Sequence, residues 1–160
     1  MTLAELLQVL HVASAFWFVA GLIGRNVVLG RARRSDDISR VRTLVEVAGP
    51  FDRFMVTYGS IAVFFLGILT MWAQHLPLWE NGTRWAVVAL VAFATLIPIV
   101  PLVFLPRGHV FEAALADAIR VGRVTPELST AFHDPVTATA RWYELAVVAF
   151  VIYLMVAKPF

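Results

Sequence analysis

An all-α, polytopic membrane protein, a four-transmembrane-helix bundle, is the fold class this chain predicts. Two observations carry it: four long apolar segments separated by charged stretches, and basic residues gathered in two of those stretches. Composition agrees. With 60% hydrophobic and 15% charged residues over 160 positions, the chain has too few polar side chains to cover a water-soluble domain. Lipid as the surrounding solvent removes that difficulty, and four spans with their connections use up the whole chain as a single domain, 1–160.

The first span is read over residues 4–29, with a stretch free of Asp, Glu, Lys and Arg from Leu6 to Gly24 between Glu5 and Arg25. No basic region precedes it, and Ala13-Ser14-Ala15 lies too deep in the run to serve as a processing site. It therefore reads as a retained span rather than a cleaved signal. The second and third spans, 52–74 and 85–106, contain runs from Phe54 to Gln74 and from Trp85 to Pro106 without a charged residue. Each reaches the ~20 helical residues that cross a ~30 Å hydrocarbon layer. At the end of the chain only Leu145 to Ala157 is free of charge, a helix of roughly 20 Å that is too short to cross. The fourth span is accordingly read over 137–157, which draws Arg141 and Glu144 into its inner end.

Orientation follows from the 13 basic residues. Arg31, Arg33, Arg34, Arg40, Arg42 and Arg53 lie between spans one and two, next to Arg25. Arg107, Arg120, Arg123 and Arg141 surround the third connection, and Arg84 and Lys158 alone fall on the other side. Basic residues near span ends stay cytoplasmic, so both termini are expected outside. A net charge of only +2 gives no footing for a nucleic-acid partner; the expected partner is the lipid bilayer. The absence of cysteine excludes disulfides, thiolate metal sites and cysteine-ligated iron–sulfur clusters within the chain.

The inner connections carry helical signals of their own. From His109 to Val121, the residues Val110, Phe111, Ala114, Leu115, Ala118 and Ile119 recur at helical spacing, and Gly122 is placed to stop the helix. Such a helix either lies along the inner membrane surface or extends the third span. A weaker version, Ile38, Val41, Leu44 and Val45, is expected to end at Gly49-Pro50. Asp134-Pro135 reads as an N-cap with proline at the first helical position, opening span four, and Thr125-Pro126 as the same signal for a short helix before it. Pro77 and Asn81-Gly82 mark the outer turn, where Asn81-Gly82-Thr83 also matches a glycan acceptor pattern. Pro98 and Pro101 predict a kink in span three, with Thr95 near the carbonyls they free.

Few polar residues lie inside the spans. His11 sits roughly 12 Å deep in span one, where an ionisable group should face the bundle or a cavity. Neutral imidazole is an axial haem ligand, and it is equally an interhelical hydrogen-bonding group. On the same face follow Ser14, Phe18 and Arg25, so this side is expected to be buried, with Gly21 and Gly24 allowing a second helix to approach. Arg25 and Glu144 lie at matched depth near the inner ends of their helices and invite pairing, with Arg141 as a competing local partner for Glu144. A second axial ligand is harder to find. His75 lies at the outer end of span two, and His109 and His133 belong to the inner side. A second His11 from a homodimer partner, Met71, or an open sixth position remain.

Leu10-His11-Val12, Phe16-Trp17-Phe18, Ala20-Gly21-Leu22 and Arg25 together resemble the first helix of the HemJ-type protoporphyrinogen oxidases and of the copper-resistance D-type membrane proteins. The terminal segment Tyr153-Leu154-Met155-Val156-Ala157-Lys158-Pro159, with the length and span layout, is similar to a bacterial family of predicted four-span integral membrane proteins of unknown function. That family implies the bacterial inner membrane. The HemJ-type resemblance implies haem b on His11, with His11 as iron ligand and Arg25 near a porphyrin carboxylate. Two functional readings follow. In one, the bundle holds haem b at His11 for electron transfer or porphyrin metabolism. In the other it is a non-enzymatic membrane assembly or small-solute transport component, in which His11 and Arg25–Glu144 are interhelical ties. Whether any catalysis occurs is left open by the residues.

Overall fold

The computed structural model describes residues 1–77, 80 and 82–159; among these the chain is all-helical, without a β-strand. Helix α1 spans Leu3–Ala32. Its start is set by a capping box, in which the Thr2 side chain accepts from the Glu5 amide and the Glu5 carboxylate accepts from the Thr2 amide. These bonds satisfy donors that a helix start otherwise leaves open.

Helix α2, Ile38–Pro50, opens on Asp37 as N-cap and does not stop at Gly49-Pro50 as the sequence suggests. It continues through a π-helical segment, Phe51–Thr57, into α3, Tyr58–Ala73, as a rod of 36 residues. Pro50 lacks an N–H and so cannot close its own helical bond, and the wider turn beyond it absorbs the defect without breaking the rod. Two neighbours take up polar groups there. The Thr57 hydroxyl donates to the Asp52 carbonyl at 3.0 Å, and the Trp17 indole of α1 donates to the Phe54 carbonyl at 3.4 Å.

Span three departs most from expectation, because it is not one helix over 85–106. Helix α4, Arg84–Ala94, has 11 residues and is only about 16 Å long. A turn at residues 95–98 and a second π-helical segment, Val100–Phe104, follow before α5, Leu105–Val121. Pro98 and Pro101 are the cause, since each removes a donor and crowds the preceding turn. The Thr95 hydroxyl donates to the Ala92 carbonyl at 2.7 Å; the carbonyl that Pro98 would leave open, that of Ala94, is taken instead by the Ile97 amide. The Thr95 hydroxyl also meets the Tyr143 hydroxyl at 2.8 Å, tying the kink to the last helix.

Helix α5 extends this third segment rather than beginning afresh, and ends at Gly122 in the left-handed conformation (φ 77°) that glycine adopts without steric cost. Helix α6, Pro126–Phe132, and α7, Pro135–Ala157, begin at the two caps read from sequence, Thr125 and Asp134. Three segments are long and apolar enough to cross a membrane: Leu3–Ala32, Ile38–Ala73 and Pro126–Ala157. Arg84–Ala94 is a shorter apolar helix. The Asn81 of the glycan pattern lies outside the described residues.

Packing sorts the molecule into two ends. At one, Gln74 donates to Gln8, and the Lys158 ammonium stands 5.3 Å from the Trp85 ring centre. At the other lie Arg25, Asp52 and Glu144. The main core between them is built from Phe18, Leu22, Val56, Val63, Phe93 and Val148, with further small and branched residues, and Phe18 meets Phe93 edge-on at 5.8 Å. Helix α1 approaches the rod closely along glycines. A methyl group on Gly21 would collide with the Met55 side chain, one on Gly24 would fall 2.6 Å from the Phe51 ring, and one on Gly59 would come within 3.2 Å of the Phe18 backbone. A separate small core of Val41, Ala118 and Leu128 joins α2, α5 and α6 apart from the main core, with Phe111 edge-on to Phe132 at 4.9 Å. The apolar face read on α5 is thus used in part: Ala114, Leu115 and Phe111 pack here, whereas Val110 points outward.

Candidate functional site: the Arg25 junction and the inner cleft

Arg25 is the most connected polar residue of the interior. It lies on the buried face of α1, 5% exposed. One terminal nitrogen donates to Glu144 of α7 at 2.5 Å and the other to Asp52 of the first π-helical segment at 2.7 Å. Its guanidinium carbon lies 5.8 Å from the ring centre of Phe104, in the second π-helical segment. One side chain therefore joins four segments. The fork geometry of arginine suits this, because its two ends reach separate carboxylates at fixed angles. The pairing expected between Arg25 and Glu144 is present, and Arg141 does not compete for it. Arg141 enters no ion pair among the described residues.

Asp52 was not singled out in the sequence. Its signal is positional: an acidic residue just after Pro50, at the inner edge of span two, stands at the depth of Arg25 and Glu144. Nothing local to the motif reveals it, because the π-helical turn that aims the carboxylate inward arises from the fold.

His11 is 8% exposed. Its Nδ1 lies 3.1 Å from the Val63 carbonyl of α3. As that carbonyl is an acceptor only, the ring donates from Nδ1, and in its neutral form carries its lone pair on Nε2. The facing position is Gly67, where a methyl group would sit 3.1 Å from the ring Cε1. His11 and Arg25 share a helix face but are 14 residues, ~21 Å, apart; they form two sites, not one. His75, with φ 49°, follows Gln74 at the end of the molecule that holds Lys158, and His109 and His133 lie toward the other end, away from His11. Among the described residues, no group of three or more histidine or acidic side chains gathers as a metal centre.

Around the Arg25 junction the helices splay to leave a cleft of about 1760 Å³. Arg25 and Phe18 belong to its α1 wall, Asp52, Ser60 and Phe64 to the rod, and Phe93 and Ile97 to the region after α4. Charged residues of both signs line it, among them Arg33, Arg107 and Arg141 and the acidic Glu112 and Glu127. Arg107 is matched there by Asp134, the cap of α7, at 3.0 Å. Phe18 is the outermost α1 residue on the lining, about two turns short of His11. Hence the cleft and the histidine are separate.

No curated protein and no solved structure matches the chain. Residues 5–159 match the family described as predicted integral membrane protein (DUF2269), so this chain of membrane-crossing helices, with a charged junction buried among them, belongs to that family.

Proposed function

We propose that the chain is a four-crossing protein of the bacterial cytoplasmic membrane that acts without a catalytic step, as an assembly or small-solute transport component holding its solute in the inner cleft. The fourth crossing is α4 with the proline-broken turn and the second π-helical segment, residues 84–106 taken together. Both termini face outward, because the basic connections favour the interior. One observation carries the reading: Arg25 stands in the wall of a 1760 Å³ cleft with both terminal nitrogens committed to carboxylates of other segments. A guanidinium so engaged holds walls together.

His11 is the second tie, from α1 to α3. One feature favours a haem ligand instead: donation from Nδ1 to a carbonyl is how ligating histidines are oriented, with Nε2 directed at the metal. The surroundings do not fit a porphyrin, however. The ring is buried between two helices against Gly67, and the cleft does not reach it. The tie reading is therefore preferred.

Two measurements test this function. Native mass spectrometry of the wild-type protein released from mild detergent is expected to show a retained non-covalent adduct, reduced by Ile97→Trp, which narrows the cleft; a bare mass for the wild type would overturn it. An absorption spectrum is expected to be flat across the visible range, and a Soret band lost in His11→Ala would restore the haem reading.

A further inference from the structure

Three features of the cleft constrain its occupant. The first is size: about 1760 Å³ exceeds the roughly 300–1,000 Å³ of ordinary small-molecule pockets. The second is the open side. Ile61 and Phe65 of α3 and Ile97 after α4 line the cleft and are each about half exposed. Apolar side chains at the rim of a membrane-embedded opening face acyl chains, so the entrance leads to the bilayer rather than to water. The third is charge. Arg33 and Arg141 line the inner end and take part in no ion pair among the described residues, while Arg25 and Arg107 are matched by carboxylates. Arg33 is near enough for its charge to act on Arg141, as are Arg25, Asp52 and Glu144, whose own pairing leaves Arg141 without a direct partner. Two guanidinium groups on one lining at the cytoplasmic end of a span, neither in an ion pair among the described residues although Glu112 and Glu127 share that lining, favour an anion there.

We infer that the cleft binds an anionic phospholipid of the inner leaflet, with its phosphate between Arg33 and Arg141 and an acyl chain entering between α3 and the turn after α4. Basic pockets between helices on the cytoplasmic side bind such headgroups. Trp142, exposed beside Arg141 on the same lining, stands where interfacial aromatics anchor to the headgroup layer. The inference rests on the cleft being a ligand site, as proposed above, and makes that ligand a lipid in place of a small water-soluble solute.

The test uses the full chain in detergent and two lipids with identical acyl chains, phosphatidylglycerol and phosphatidylcholine, followed by native mass spectrometry. Phosphatidylglycerol is expected to bind about tenfold more tightly, and Arg33→Gln with Arg141→Gln to abolish that preference while leaving phosphatidylcholine unchanged. Arg33→Gln alone, at an exposed helix end, is expected to remove part of the preference without touching the fold. Equal retention of the two lipids, or a preference that survives the double substitution, overturns the inference. So does competition by millimolar inorganic phosphate alone, which would mark a free-anion site. A cysteine at Ser60, unique in a chain without cysteine, separates failure of the inference from failure of the cleft reading. Protection from maleimide by phosphatidylglycerol over phosphatidylcholine supports the inference. Equal protection by both overturns the headgroup choice alone, and protection by neither overturns the cleft as a ligand site as well.

Discussion

At the scale of single residues, the interior is governed by the cost of leaving polar groups unmatched where water is scarce. Arg25 illustrates it. Breaking a buried ion pair from one side costs about 3–5 kcal/mol, whereas removing both partners is often neutral. Glu144→Leu should lie at the low end of that range, because Asp52 stays on Arg25 and keeps part of its charge matched. Arg25→Leu should cost more, since it strands a carboxylate that is 7% exposed. The double variant should recover much of the loss in detergent unfolding, and strict additivity of the single losses would refute the pairing. His11→Ala removes one interhelical hydrogen bond and leaves a void, at a cost of about 1–3 kcal/mol in the same assay. No change would mean that the bond to Val63 contributes nothing. Arg25 and Glu144 were legible as a pair because charges inside apolar runs are rare and their depths could be counted. Asp52 was not, since it sat at the margin of its span and its direction depends on the π-helical turn.

At the scale of helices, glycines decide how closely α1 meets the rod. Gly21→Ala is expected to destabilise, because the added methyl meets Met55 and comes within 3.2 Å of that residue's carbonyl carbon, which cannot rotate away as a side-chain tip can. Gly30→Ala, in the same helix with open space around it, should be neutral or stabilise by about 0.5–1 kcal/mol through helix propensity. The two variants differ only in their neighbours, so similar melting temperatures would refute the close approach. Proline behaviour was harder to foresee. Pro98 and Pro101 predict a kink and produce a break with a π-helical segment. Gly49-Pro50 predicts a stop, yet Pro50 is carried through inside a 36-residue rod. A local rule specifies which bond is lost but not whether neighbouring helices will hold the segment in line. Caps fared better: Asp134, Thr125 and Gly122 all act as read, because capping depends on a few adjacent residues. The capping box of Thr2 and Glu5 carries the same kind of local signal, just ahead of the charge-free stretch of α1.

At the scale of the molecule, Lys158 stands beside Trp85 at one end and the Arg25 junction lies at the other. The orientation has a direct check in a protein without cysteine. A single cysteine at Arg34 is expected to react with an impermeant maleimide only after the membrane is opened, and one at His75 to react in intact spheroplasts. The reverse pattern would invert the topology. The inner connections also do more than link spans. Val41, Ala118 and Leu128 close a small core against one another, which gives α2, α5 and α6 a fixed arrangement beneath the cleft.

What the sequence determined by itself is the solvent and the helical content: long apolar runs must satisfy their backbone groups internally once lipid surrounds them, and helices do this within each segment. It also marked the charges that had to find partners. Only the tertiary structure decided which partners those were, that a third carboxylate joins the pair, that span three is broken, and that a cleft opens where α3 and the segment after α4 diverge. Those outcomes depend on how glycines, prolines and bulky side chains on different helices meet, and such meetings are encoded in no single stretch of the chain.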